Sequence, residues 1–296
     1  MSPETAAIEL RAVGITNTGR VRKNNEDHFV VADLTTGNTQ LTPDGGRYRL
    51  GPLGLLLLVA DGMGGESSGE VASEICVSVV PGRLRESLTT ADPLDAAAFV
   101  LALSGALEEA NRAILQRAQA SPFYAGMGTT ATAAGLLGSH LFVAQVGDSR
   151  AYLQRKGKLV QLTRDQTFLN YLADLGANLP ADLESDGRRN ILTQAVGTSL
   201  GLDVKVTHVE LRRSDRILLC SDGLYAMVRG PELKALLDQP GSLADRCQAL
   251  VNAANANGGT DNITVILAEL NGGGLADPNG EPRPEEFKPP PAPAQP

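Results

Sequence analysis

The chain has 296 residues, 42% hydrophobic and 20% charged, which allows a substantial core and excludes a fibrous or wholly disordered polymer. Its formal charge is −8 and its lysines and arginines form no long run, so nucleic acid and anionic membrane are excluded as main partners. The longest uncharged apolar run, residues 53–60, is far short of the roughly 20 residues that a spanning helix needs. Residues 1–9 carry no apolar signal segment, and Cys76, Cys220 and Cys247 are few, odd in number and far apart. A cytoplasmic protein with buried, reduced thiols is the expectation.

In chain order, short apolar runs predict strands at 29–32 and 55–60. A helical stripe follows at 68–80, where Val71, Ile75 and Val79 share a face. A second spans 95–119 through Phe99, Leu103, Leu107, Ala110 and Ile114. Strands are then predicted at 130–137, 141–147 and 150–154, with turns at Gly138-Ser139-His140 and Lys156-Gly157-Lys158. A strand at 216–220 precedes a helix at 242–255, which opens on a Ser-x-x-Asp cap and stops before Gly258-Gly259. The last strand is expected at 262–270. Hairpins imply antiparallel pairing, and strands apolar on both faces must be covered on both. The predicted fold is α+β, with two stacked antiparallel β-sheets flanked by helices. Residues 1–270 read as one domain. Residues 271–296 hold eight prolines and four glycines and are expected to be a disordered tail.

The acidic residues carry the chemical signal. Apolar runs end in Asp61-Gly62, Asp148-Ser149 and Asp222-Gly223, while Asp261-Asn262 and Glu26-Asp27 each precede one. A single Asp-Gly after a strand is an ordinary turn. Repetition at five strand ends is better explained by carboxylates meeting at one sheet edge, which requires counter-charge. Oxygen-only donors suit Mg²⁺, Mn²⁺ or Ca²⁺, whereas the scattered His28, His140 and His208 and the lack of Cys-x-x-Cys disfavour zinc. Paired ions in such a site suit water attack at phosphorus. Arg20 and Arg22, just ahead of Glu26, are candidate phosphate anchors.

Seven motifs then fall in a familiar order: Gly19-Arg20-Val21-Arg22-Lys23-Asn24-Asn25-Glu26-Asp27, Val59-Ala60-Asp61-Gly62-Met63-Gly64-Gly65, Gly128-Thr129-Thr130, Val146-Gly147-Asp148-Ser149-Arg150, Leu162-Thr163-Arg164-Asp165, Leu219-Cys220-Ser221-Asp222-Gly223-Leu224 and Gly259-Thr260-Asp261-Asn262-Ile263. Over residues 14–270 the chain resembles the type 2C (PPM) metal-dependent serine/threonine protein phosphatases, in their bacterial stand-alone form. The resemblance implies a β-sandwich with two Mn²⁺ or Mg²⁺ ions in a cleft at one edge and a weaker third ion nearby. It implies that Asp61 bridges the ions, with Asp222 and Asp261 on one and Glu26 and the Gly62 carbonyl on the other. Asp27 is then a ligand reached through water, Asp148 with Asp222 forms the third site, and Arg22 binds phosphate with Arg20 as its neighbour. The implied reaction is hydrolysis of phosphoserine and phosphothreonine in proteins by a hydroxide bridging the two ions. The implied partners are phosphoproteins made by a bacterial Ser/Thr kinase, met by a monomer.

Two positions depart from the resemblance. Met63 stands where eukaryotic members often carry a histidine proposed as general acid, and Gln166 replaces a histidine after the Thr-Arg-Asp motif. Residues 170–189 fall where bacterial members carry a mobile flap. Thr129 and Thr130 are expected to hold backbone near the site, His28 to pack behind it, His140 to sit in a turn and His208 on a strand surface. Cys220 is expected to be a structural thiol. No Gly-Lys-Ser/Thr follows the glycines at 62–65, which excludes a nucleotide P-loop. The alternative functional reading is a catalytically silent phosphoprotein-binding module.

Overall fold

Alternate side chains of the run from Leu55 to Ala60 enter different cores. Leu55, Leu57 and Val59 pack in one, Leu56, Leu58 and Ala60 in another. A strand of this kind must lie in the middle of a layered molecule. The computed structural model describes residues 7–41, 45–64, 68–176 and 191–288. Their first half runs β1 (Glu9–Asn17), β2 (Asp27–Asp33), β3 (Gly46–Arg49), β4 (Leu55–Met63), α1 (Ser68–Thr90), α2 (Ala96–Ala120), β5 (Gly128–Thr129), β6 (Ala131–Leu137) and β7 (His140–Val146). Then come β8 (Arg150–Arg155), β9 (Lys158–Gln161), α3 (Phe168–Asp174), β10 (Lys205–Glu210), β11 (Arg216–Cys220), α4 (Asp222–Tyr225), α5 (Gly230–Leu237), α6 (Leu243–Ala256), β12 (Ile263–Asn271) and β13 (Glu285–Glu286).

The strands form two sheets, ordered β3-β1-β12-β11-β8-β9 and β13-β10-β7-β6-β4-β2, with β5 paired to β4. Neighbours pair antiparallel, as the hairpins predict; Lys156 and Gly157 both take positive φ in the tight turn between β8 and β9. The facing sheets enclose a core built from Leu57, Leu136, Val143, Leu219 and Ile266. The outer face of the second sheet is covered by α1 and α2 through Leu84, Phe99, Leu103 and Leu107. The outer face of the first is covered by α5 and α6 through Leu233, Leu250 and Val251. The α+β sandwich expected from the sequence is the fold observed.

Three local expectations are revised. The first helix does not stop at Val80 but continues through Pro81 to Thr90, because Leu84 and Leu88 are buried and their packing outweighs the hydrogen bond that proline removes. His140 opens β7 instead of lying in the turn. The expected disordered tail is corrected for residues 271–288. Leu275 is buried, β13 adds an edge strand to β10, and Phe287 packs edge-on against Phe142 and His208. A few apolar anchors suffice to order this stretch despite its composition. Residues 289–296 lie outside the described set.

Candidate metal centre

Antiparallel register decides where the acids meet. Asn17 at the end of β1 faces Ile263 at the start of β12, Cys220 at the end of β11 faces Val265 and Arg150, and Asp27 at the start of β2 faces Asp61 on β4. The segments at 18–26, 61–64, 147–149, 221–222 and 260–262 therefore open on one rim of the sandwich. Arg22, Glu26, Asp61, Gly62, Asp148, Asp222 and Asp261 line a single cleft there of about 590 Å³. Asp27 is not on its wall but lies just beneath, 3% exposed.

Each is held by local chemistry. The Ser221 hydroxyl donates to Asp27 Oδ2 at 2.7 Å and accepts from the Thr264 N–H at 2.9 Å. The Asn262 side chain accepts from the Glu26 N–H at 2.8 Å and donates to the carbonyls of Thr18 and Asn24, which shapes the loop carrying Arg22. The Asp61 carbonyl accepts from Thr129 Oγ1 at 2.9 Å and from the Thr130 N–H at 2.8 Å, so the two threonines hold backbone as expected. The Gly62 N–H donates to the Glu26 carbonyl. A Cβ at Gly62 would lie 2.2 Å from the Gly69 carbonyl oxygen and 2.5 Å from that of Glu26, so this close approach of three segments requires glycine. Arg22 Nη2 donates to Asp261 Oδ2 at 2.6 Å. Arg20 makes its main-chain bond to the Gly259 carbonyl and does not line the cleft.

Like charges opposed across strands are unfavourable, and the carboxyls respond by holding protons. Burial raises Asp61 well above the usual carboxylate range, and Asp27, Asp222, Asp148 and Asp261 push it further in the same direction. Burial and then Asp148 raise Asp222 to about 7, with Arg22 opposing. Burial raises Asp148 to about 6, partly offset by a hydrogen bond from the Tyr225 hydroxyl. Asp27 is likewise raised to about 6, chiefly by burial.

Among the described residues, no three His, Cys, Asp or Glu side chains converge into a ready coordination shell. The donor set nevertheless fits a hard divalent cation. It is entirely oxygen, Asp27 Oδ1 is buried with no hydrogen-bond partner among the described residues, and Asp61 faces the charge of four other aspartates.

Other expectations fall into place. His28 Nδ1 pairs with Ser73 Oγ at 2.9 Å, behind the cleft. His208 lies on β10, stacked against Phe142 and part-covered. Burial lifts the thiols of Cys76, Cys220 and Cys247 to about 12, so they are inert. Met63 lines the cleft and offers no proton. Gln166 has a positive role instead of a missing one: its Oε1 accepts from the Gly147 N–H at 2.7 Å, which braces the loop bearing Asp148. Most of the flap expected at 170–189 lies outside the described residues, apart from α3 and its end. Sequence reasoning assigned no role to Ser221, Asn262 or Tyr225. The first two sit inside the quoted motifs, and their position one residue from an acid was the available signal.

Comparison with known proteins agrees with this geometry. Residues 42–268 match the family described as protein phosphatase 2C. A serine/threonine phosphatase, stp, of Listeria welshimeri is 35% identical over 258 residues, which is 86% of this chain and 94% of the relative. The crystal structure of serine/threonine phosphatase Stp1 from Staphylococcus aureus superposes with a TM-score of 0.74 at 31% identity, covering 87% of this chain and 94% of that one. A crystal structure of the catalytic domain of the phosphatase PstP in complex with two manganese ions gives 0.70 at 32% identity, covering 89% and 99%.

Proposed function

Because the chain belongs to the protein phosphatase 2C family, we propose that its cleft hydrolyses phosphoserine and phosphothreonine in proteins with the help of bound divalent cations. The observation that carries this is the meeting of Glu26, Asp61, Asp148, Asp222 and Asp261 with Arg22 on one cleft wall.

Two ions, Mn²⁺ or Mg²⁺, are assigned to Asp61, Asp222, Asp261, Glu26 and the Gly62 carbonyl, with Asp27 below them. A third, weaker one is assigned to Asp148 and Asp222. When bound, such cations supply charge neutralisation and acidify water for attack at phosphorus. The chain's own residues do the rest. Arg22, 56% exposed in its side chain, already points its guanidinium at the acid cluster through Asp261. Its fork suits two non-bridging oxygens of an incoming phosphate, and the charge it adds offsets that of the transition state. The bracing of Asp61 by Thr129 and Thr130, and of Asp27 by Ser221, keeps the acid positions fixed before any ligand arrives. With Met63 at the rim, the leaving alkoxide takes its proton from water.

The catalytic domain is assigned to residues 1–270, with residues 271–288 packed onto it. No helix among the described residues is long and apolar enough to cross a membrane. A cytoplasmic monomer that opposes a bacterial Ser/Thr kinase is the setting inferred from the resemblance. The test is phosphate release from a phosphothreonine peptide with Mn²⁺, then with excess chelator, in the wild type and in Asp222→Ala. Release that survives chelation or the substitution would overturn the reading. Tight peptide binding without turnover at saturating Mn²⁺ would instead support the silent binding module. Glu26, Asp61, Asp148, Asp222 and Asp261 all line the cleft, which argues against that alternative.

A further inference from the structure

A second cavity, of about 620 Å³, lies beside the cleft and shares Asp148 and Asp222 with it. Its lining includes a relay of four side chains that ends on the shared Asp148. Asp165 receives Arg150 Nε at 2.9 Å and Nη2 at 2.6 Å, a two-pronged grip. Arg150 Nη1 donates to the Tyr152 hydroxyl at 3.2 Å, so every nitrogen of the guanidinium is engaged. The guanidinium carbon stands 3.6 Å from the centre of the Tyr225 ring, a cation–π contact that pins the ring face. The hydroxyl of that ring donates to Asp148 Oδ2 at 3.1 Å.

The far end of the relay is anchored too. Asn170 Nδ2 donates to the Asp165 carbonyl and Gln161 Nε2 to its carboxylate. Tyr225 lies three residues after Asp222, so the single turn of α4 presents both the Asp222 carboxylate and the hydroxyl that touches Asp148. Asp148 is 8% exposed and sits within reach of the like charges of Asp165 and Asp222 and of the opposite charge of Arg150. The Tyr225 hydroxyl is a directed side-chain donor that fixes Asp148 Oδ2 among them.

We propose that Tyr225, buttressed by Arg150 and Asp165, is a positioning residue that fixes Asp148 to receive the weaker third cation. The proposal rests on the metal-dependent reading above and assigns a task to side chains outside the ligand set. A residue of purely structural importance would change stability without changing how cations distribute among sites.

The experiment is a Mn²⁺ titration of the full chain, with free Mn²⁺ read by electron paramagnetic resonance, in wild type and Tyr225→Phe. The substitution keeps the ring and its stacking and removes one hydroxyl. The expected result is an unchanged affinity for the two tighter ions and a Kd for the weaker ion raised about tenfold, as loss of one hydrogen bond to a carboxylate implies. In an Asp148→Asn background the same Tyr225→Phe change should have no further effect on Mn²⁺ binding. Identical isotherms for wild type and variant overturn the proposal, as does equal weakening of all ions or an additional loss in the Asp148→Asn background. A wild type that binds two ions and no third overturns it while leaving the phosphatase reading intact. A wild type that binds none removes both.

Discussion

Ser221→Ala is the most telling single change, because one buried hydroxyl serves two partners. It donates to Asp27 Oδ2 and accepts from the Thr264 N–H, and Ser221 and Thr264 are both fully buried. Loss of a hydrogen bond to a carboxylate costs about 1.5–3 kcal/mol, and a stranded buried N–H adds about 1–3 kcal/mol. At about 2–4 °C per kcal/mol for a domain of this size, the melting temperature should fall by about 5–24 °C. The loss should also depend on pH. Asp27 is raised from 3.8 to about 6 in the folded chain. Between those values the folded state keeps a proton that the unfolded state has released, so stability falls as pH rises through this window. The Ser221 bond holds the Asp27 value down, and removing it raises that value further, so the penalty grows with pH. Calorimetry of the chelator-treated protein at pH 5 and pH 7.5 should show the larger loss at pH 7.5. An equal loss at both, or a melting temperature unchanged at either, would refute the reasoning.

Arg22→Ala should lower kcat/KM for a phosphothreonine peptide by about a hundredfold, with the melting temperature nearly unmoved because the side chain is mostly exposed. Gly62→Ala places a Cβ 2.2 Å from a backbone oxygen that cannot yield, so it should destabilise by about 1–3 kcal/mol or more and depress hydrolysis, read by denaturant titration and phosphate release. Leu57→Ala, in the core between the sheets, should cost about 2–5 kcal/mol by the same titration. Truncation after residue 284 should lower the melting temperature by removing β13 and Phe287, and a chain that melts unchanged would show that the edge strand contributes nothing.

The strands and the site acids were readable for one reason. Residues such as Leu55 to Ala60, apolar on both faces, announce a buried strand, and an aspartate directly after one is costly unless something charged awaits it. Two strands one place in from the sheet edges, β1 and β10, were not readable. In β1, Glu9 and Arg11 alternate with buried Leu10 and Ala12, and in β10 Lys205 and Glu210 flank two valines, so neither stands out as an apolar run. The Pro81 continuation of α1 and the packing of Leu275 and Phe287 were set by contacts distant in sequence, which no local pattern encodes. The same holds at the site. Arg22, Glu26 and the aspartates were found from their motifs. Tyr225 was not, because its partner Asp148 is 77 residues away and only register brings them together.

The sandwich has two ends, and the acids gather at one of them. At the other, the bend at Gly138 and Ser139 between β6 and β7 projects outward, and a side chain added at Gly138 would meet nothing within 4 Å. Extra sequence inserted at Gly138 would leave the acids where they are, provided that the Ser139 carbonyl keeps its bond from the Leu211 N–H. That end is thus the natural place to graft a tether, a fluorescent reporter or a recognition module, and the enzyme could be retargeted to chosen phosphoproteins without altering its reaction.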